Sequence, residues 1–267
     1  MLFLAGGTLD PNINTLEKTC LDLGVEYERA NWETSKFYWD IGNNIIKIND
    51  FDFSCSSVFS RWDVFGEDME ESAVFHDTIM QAATTYGKKI LNKNYNRQVT
   101  KVFNLVLAKN CGFTLPDTYI VGNLVLKKDG EFITKPVRGG SYAKEYNKEV
   151  NLSFVQQKLE SPDLRIYRIG SDFISFNLFS DHLDYRTDNE VKIKEVKIRD
   201  FDDRLKTLSN FLGLNYCCID LKKDKTTDEY LFLEINSSPM FSEFDKIAEG
   251  KLSKAIIRNL INADQEV

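Results

Sequence analysis

The residues best suited to chemistry stand on two short segments near the C-terminus, Tyr216-Cys-Cys-Ile-Asp-Leu-Lys222 and Tyr230-Leu-Phe-Leu-Glu-Ile-Asn236, parted by the polar stretch 223–229. Both alternate with the two-residue period of a half-buried strand. Cys217, Ile219 and Leu221 then share one face of a hairpin, and Leu231, Leu233 and Ile235 complete it. Parity sends Asp220, Phe232, Glu234 and Asn236 to the other face, and a symmetric hairpin sets Asp220 directly across from Glu234. Two facing carboxylates repel. Either they look into water on an exposed ribbon, or a cation sits between them; two carboxylates and an amide oxygen make the all-oxygen set that Mg²⁺ accepts. Glu234-Ile-Asn-Ser-Ser-Pro239 leads from strand into a turn that opens a last helix, so the acidic end points to a loop-lined mouth, where binding residues commonly lie.

The elements that must position these residues are read from periodicity. Leu2 to Ala5 is a buried strand, Gly6-Gly7 a turn, and Ile13, Leu16, Cys20 and Leu23 mark a helix ended by Gly24. Ala5-Gly6-Gly7-Thr8 lacks both G-x-G-x-x-G and G-x-x-x-x-G-K-[ST], so it reads as a turn and not as a phosphate loop. Strands follow at 25–28, 37–41, 45–48 and 57–59, with a hairpin turn at Gly42-Asn-Asn44, then a helix over 70–86. A helix over 96–110 places Val99, Val102, Phe103, Val106 and Leu107 on one face and closes at Gly112 and Pro116. Residues 119–121, 131–137, 152–159, 164–170, 173–179 and 191–196 read as strands, while 124–128 fits either a strand or a short helix. A helix over 200–212 ends at Gly213; the acidic ribbon and one helix over 242–262 close the chain. Strands first and interleaved helices later, with no repeats, indicate α+β layers.

Composition bounds the partners. With 34 Lys and Arg against 41 Asp and Glu in 267 residues, the net charge is −7, which excludes gripping nucleic acid through the overall field but leaves room for a local basic groove. The length suits one large or two to three small subdomains. Five scattered Cys, with no C-x-x-C, and only two His give no disulfide framework and no structural zinc site. The amino terminus lacks a basic n-region, and no apolar run reaches the ~20 residues of a membrane helix. These features point to a reduced, cytoplasmic protein with neither nucleic acid nor membrane as partner.

At the level of motifs the chain resembles the ATP-grasp ligases, in which a strand Asp and then a Glu-x-Asn hold Mg²⁺ on the ATP phosphates. Phe232-Leu-Glu-Ile-Asn-Ser-Ser-Pro239 is similar to the C-terminal motif of the branch that includes ribosomal-protein glutamate ligases. Thr100-Lys101 followed by Gly112-Phe-Thr-Leu-Pro-Asp-Thr118 resembles the lysine helix and its G-x-x-x-P-x-T turn. Thr134-Lys135-Pro-Val-Arg-Gly-Gly140 resembles the second lysine strand and glycine loop, Phe154 to Leu159 the hinge strand along adenine, and Asp163-Leu-Arg165 the D-x-R after it. Leu178-Phe-Ser-Asp181 with Asp184-Tyr-Arg186 is similar to the pattern of graspetide synthetases, which join Asp or Glu side chains to Lys, Ser or Thr of a ribosomally made precursor. Tyr185 stands where that group carries Trp, Met240 stands where Gly is common, and the segment from Pro116 to Lys135 is short.

The resemblance implies an α+β ATP-grasp fold: an N-terminal α/β pre-ATP-grasp domain (1–92) and two subdomains (93–159 and 160–267) that clamp ATP. It implies ATP and Mg²⁺ as cofactors and a precursor peptide with a leader segment as partner, and it allows a homodimer. Asp220, Glu234 and Asn236 would hold the metal. Lys101, Lys135 and Arg138 would meet phosphates, the last as part of a lid, Arg138-Gly-Gly-Ser141. Gln157, Lys158 and Leu159 would line adenine, with Phe232 as its floor or else as ordinary core. Asp184, Arg165 and Arg186 would act at the reacting carboxylate or acyl phosphate, the arginines being surface ion pairs otherwise. Alternatives of other kinds are a ligase that adds free amino acids to a protein or small molecule, and a nucleotide-binding scaffold without catalysis.

Overall fold

The computed structural model describes residues 1–43, 45–53, 57–65, 68–94, 99–122, 131–136, 142–146, 153–188 and 190–261. In chain order the elements are β1 (Leu2–Gly6), α1 (Pro11–Leu23), β2 (Tyr27–Asn31), β3 (Phe37–Asp40), β4 (Ile45–Ile48), β5 (Phe51–Asp52), β6 (Ser57–Ser60), α2 (Met69–Thr85) and α3 (Lys101–Asn110). Then come β7 (Thr118–Val121), β8 (Phe132–Pro136), β9 (Lys144–Glu145), β10 (Ser153–Gln157), β11 (Glu160–Ile169), β12 (Asp172–Phe179) and β13 (Lys192–Val196). The chain ends with α4 (Asp202–Phe211), β14 (Tyr216–Lys223), β15 (Tyr230–Asn236), α5 (Ser242–Ile247) and α6 (Lys251–Ile261). The stretch 124–128, which fits either a strand or a short helix, lies outside the described residues. Among the described residues no helix is long and apolar enough to cross a membrane.

Two compact units form: Met1–Asn94 with Leu214–Tyr216 and Ser238–Val267, and Tyr95–Gly213 with Cys217–Ser237. The last two helices therefore join the first unit, whereas the block 160–267 groups them with the acidic ribbon. In the first unit β1 lies between β2 and β6, all parallel, and β3-β4-β5 form an antiparallel meander. Parallel strands bury both faces, and all five residues of β1 are buried. The Gly6-Gly7 turn is glycine for a packing reason: a Cβ on Gly7 would lie 2.0 Å from Asp63 Oδ2, which accepts the Trp32 indole N–H at 2.9 Å.

Asp10 caps α1 and pairs with Arg61 at 2.9 Å, both side chains buried. A buried pair must satisfy its remaining hydrogen-bonding groups. Arg61 does so by donating to the Pro239 carbonyl at 2.9 Å and to the Met240 thioether at 3.2 Å. Asn12 adds a donor to the same sulfur and accepts from the Phe241 and Ser242 amides. Met240, unusual at this place, thus serves as an acceptor in the turn that opens α5.

The single C-terminal helix expected over 242–262 is two. Glu249 and Gly250 take left-handed φ values of 53° and 79°, which end α5, and Asp245 then caps α6 by accepting from the Leu252 and Ser253 amides at 2.8 and 3.0 Å.

The second unit holds a four-stranded antiparallel sheet, β7-β10-β8-β9, and a five-stranded sheet, β13-β12-β11-β14-β15. α3 starts later than expected, at Lys101, because Thr100 caps it by accepting from the Phe103 amide. Its buried face differs too: Leu105, Leu107 and Ala108 are buried while Phe103 and Val106 are exposed. Lys101, one turn before Leu105, therefore stands at the head of the inward stripe.

Candidate active site

The ribbon β14-β15 sets Asp220 opposite Glu234 and Cys218 opposite Asn236, the register that the alternation predicts. Beyond Asp220 the ladder slips: Leu221 faces Phe232 instead of Leu233, so one extra residue bulges from β15. The bulge overturns the parity argument for Phe232. Its side chain is 0 % exposed, its ring lies 5.0 Å from Phe113, and its amide donates to the Thr114 carbonyl at 2.9 Å. Phe232 therefore packs as core and stitches the turn after α3 to the ribbon.

Around the two carboxylates the unit gathers its own cations. Arg165 on β11 forks onto Asp220, Nε to Oδ1 at 2.7 Å and Nη2 to Oδ2 at 2.9 Å, with its guanidinium carbon 5.6 Å from the Tyr185 ring. Tyr185 in place of Trp keeps an aromatic ring beside that guanidinium. Lys101 reaches Glu234 Oε2 at 3.2 Å. Asn236 Nδ2 lies between the acids, 3.1 Å from Asp220 Oδ2 and 3.2 Å from Glu234 Oε1. Partial burial alone would raise Glu234, but Lys101, Lys135 and the Asn236 hydrogen bond together hold it below its ordinary value. A second charged pair continues along the same strands: Lys222 contacts Asp163 at 2.8 Å. Burial, only partly offset by Lys222, raises the Asp163 carboxyl.

Lys135 on β8 enters the same field from the other sheet. Burial lowers its ammonium, against the pull of Glu234, Asp184 and Asp220. Sequence reasoning missed its partner: Gln156, on β10, accepts from Lys135 Nζ at 3.1 Å and donates to Thr118 Oγ1 at 3.0 Å, which donates in turn to the Pro116 carbonyl. The β8/β10 register, Phe154 opposite Lys135, puts Gln156 on the Lys135 face, a pairing that alternation within one strand cannot name.

Gln157 ends β10. Its backbone N–H donates to the Asp117 carbonyl at 2.8 Å and its side-chain amide donates to Asp224, which caps the turn joining β14 and β15. Lys158 pairs with Glu145 at 2.8 Å, and Leu159 is buried. Asp184 accepts from the Ala143 amide at 3.3 Å. Arg138, with the lid 138–141, lies outside the described residues, as does the side chain of Arg186, whose backbone forms a short 3-10 helix with Tyr185 and Thr187.

The donor set suits a hard cation. Two in-register carboxylates share one amide, and each is neutralised by a separate side chain, a charge balance that a divalent ion could supply instead. No group of three or more His, Cys, Asp or Glu placed for a metal occurs among the described residues; the polar group that stands beside the two carboxylates is the Asn236 amide.

Solved structures share this architecture over nearly the full chain. The ATP-grasp ligase PsnB, complexed with a minimal precursor, superposes with a TM-score of 0.77 at 19% identity, covering 97% of this chain and 98% of its own. The fold is that of the ATP-grasp ligases. The macrocyclase MdnC of Microcystis aeruginosa MRC, bound with precursor peptide MdnA, gives 0.75 at 17% identity over 98% and 99% of the two chains. A RiPP-associated ATP-grasp ligase of Chryseobacterium gregarium, in complex with ADP and a leader and core peptide, gives 0.74 at 18% over 98% and 96%. No protein-family model and no curated protein matches the sequence. The ATP-grasp frame accounts for the two sheets of the second unit, one carrying Lys135 and the other Asp220 and Glu234.

Proposed function

We propose that this protein is an ATP- and Mg²⁺-dependent carboxylate ligase that joins Asp or Glu side chains to Lys, Ser or Thr of a ribosomally made precursor peptide. One observation carries the reading: Asp220 and Glu234 face each other in register with Asn236 between them, and Lys101, Lys135 and Arg165 all act on that pair. Support for nucleotide and peptide comes from PsnB, solved with a minimal precursor, Mg and ADP, and with precursor peptide PsnA2 and AMPPNP.

In this reading Asp220, Glu234 and Asn236 would hold Mg²⁺, which when bound would neutralise phosphate charge. Asn236 presents its oxygen after a half-turn of the amide. Lys101 and Lys135, each on a rigid element, place point charges against the phosphates, and Gln156 keeps Lys135 in position. The γ-phosphoryl group of ATP would pass to a peptide carboxylate with release of ADP, and an amine or hydroxyl would then lose its proton and displace phosphate from the acyl phosphate. Arg165 and Arg186 would offer guanidinium forks suited to the two-oxygen anion, and Asp184, which accepts from the Ala143 amide, would steady the segment that follows the glycine loop.

Mass spectrometry tests the reading: a precursor treated with enzyme, ATP and Mg²⁺ loses one water per cross-link. A gain in mass would instead show addition of free amino acids, a small-molecule chemistry that shares the fold with D-cycloserine synthetase DcsG, TM-score 0.60. ATP turnover absent with every peptide and carboxylate offered would favour a scaffold. Glu234→Gln is expected to abolish turnover while leaving the far-ultraviolet circular dichroism unchanged; retained activity would sink the metal assignment.

A further inference from the structure

Arg165 is bound where its proposed task does not lie. A residue that grips a reacting carboxylate needs its fork open, yet Arg165 is only 8 % exposed and both Asp220 oxygens accept from its guanidinium. Asp220 Oδ2 also accepts from Asn236, so three of the roughly four lone-pair positions of the carboxylate are taken. Glu234 is likewise engaged, its charge balanced by Lys101 and its other oxygen accepting from the Asn236 amide. The chain's own cations relieve the repulsion of the facing acids. A divalent ion on the same oxygens would sit close to a guanidinium of like sign, in a half-buried setting where repulsion is weakly screened.

We infer that Arg165 is a placeholder cation: it occupies Asp220 while the metal is away, gives that carboxylate up when a divalent ion arrives, and so opens its fork toward the reacting carboxylate only in the loaded site. The inference rests on the metal reading of Asp220, Glu234 and Asn236. It makes the site incomplete for anions until metal is present, and it makes metal affinity without nucleotide weak, because the ion must displace a bidentate bond. Tyr185, beside the guanidinium, offers its ring to the fork once the carboxylate is gone.

The test is a titration of the intact protein with Mn²⁺ alone, free ion being read by electron paramagnetic resonance. Asp220→Asn should abolish binding; if it does not, the metal reading itself fails, and this inference with it. With that established, Arg165→Met is expected to tighten Mn²⁺ binding about tenfold, since nothing has to be displaced. Lys135→Met measures the plain effect of removing a nearby positive charge that contacts neither acid, and should tighten binding by no more than about threefold. Equal gains in the two variants, or unchanged or weaker binding in Arg165→Met, would make Arg165 a fixed brace and overturn the inference while the metal reading stands. Should Arg165→Met fail to fold by circular dichroism, Arg165→Lys, which cannot fork, is expected to bind more tightly than wild type, and unchanged or weaker binding overturns it equally.

Discussion

Lys101 occupies the first helical position of α3, where the helix dipole disfavours a cation, and its contact with Glu234 offsets that cost. Both side chains are close to half exposed, so Lys101→Met should change stability by less than about 1 kcal/mol. Its effect on Glu234 should be plainer. With its folded pKa below the ordinary value, Glu234 contributes stability that is present above the unfolded pKa and lost as pH falls through the folded one. Lys101→Met is expected to raise the Glu234 pKa in a carboxyl-carbon NMR titration and shrink that contribution; an unmoved titration would show that the two charges do not couple. Lys135 carries the opposite sign. Its depressed pKa makes the charged form a cost at neutral pH, one that fades as pH rises through the folded pKa. Gln156→Leu removes an acceptor from that ammonium and should lower its pKa further, at about 1–2 kcal/mol of neutral-pH stability that narrows in alkali. Side-chain NMR of Lys135 and urea melts at two pH values check this. Asp220, Glu234 and Asn236 were legible from parity alone. Gln156 and the Asp163–Lys222 pair were not, because strand alternation names a face and not a partner on the next strand.

At the scale of elements, alternation carries as far as the first irregularity. It places Asp220 across from Glu234 and then fails, because the bulge at Leu233 turns Phe232 into the core formed by Phe113 and Phe201. Helical periodicity likewise located α3 but its expected inward stripe held only in part: Leu107 is buried, whereas Phe103 and Val106 are apolar and exposed while Leu105 and Ala108 face inward. The C-terminal break was marked by Gly250 in the sequence, yet Asp245, the residue that restarts the helix, reads as an ordinary acid one turn inside α5. Its carboxylate is buried and bonded to two α6 amides. Asp245→Ala is therefore expected to cost about 1–2 kcal/mol in urea unfolding. Asp245→Asn, which keeps an acceptor oxygen, should recover most of the loss. Equal loss in both variants would mean that charge, and not capping, holds the break.

For the whole molecule, the net charge of −7 poses the question of how a polyanion could be held. The answer is local and nearly balanced. Among the described residues at the acidic ribbon, the cations Lys101, Lys135, Arg165 and Lys222 stand against the carboxylates Asp163, Asp184, Asp220 and Glu234. Among these described side chains four charges cancel four, so by themselves they would give a nucleotide without metal no net attraction, and the surrounding field of an acidic chain opposes it. A divalent ion tips the balance by two charges. Melting should show this directly: a non-hydrolysable ATP analogue with Mg²⁺, at a hundredfold its Kd, stabilises the folded protein by about 2.7 kcal/mol. The same analogue in a chelator should stabilise it far less. Glu234→Gln, which removes one ligand and one negative charge together, should make the two conditions converge, the metal-free analogue binding somewhat better and the metal-loaded one worse. Equal stabilisation with and without Mg²⁺ in the wild type would mean that the lysines alone hold the phosphates and that the facing carboxylates serve only the ribbon.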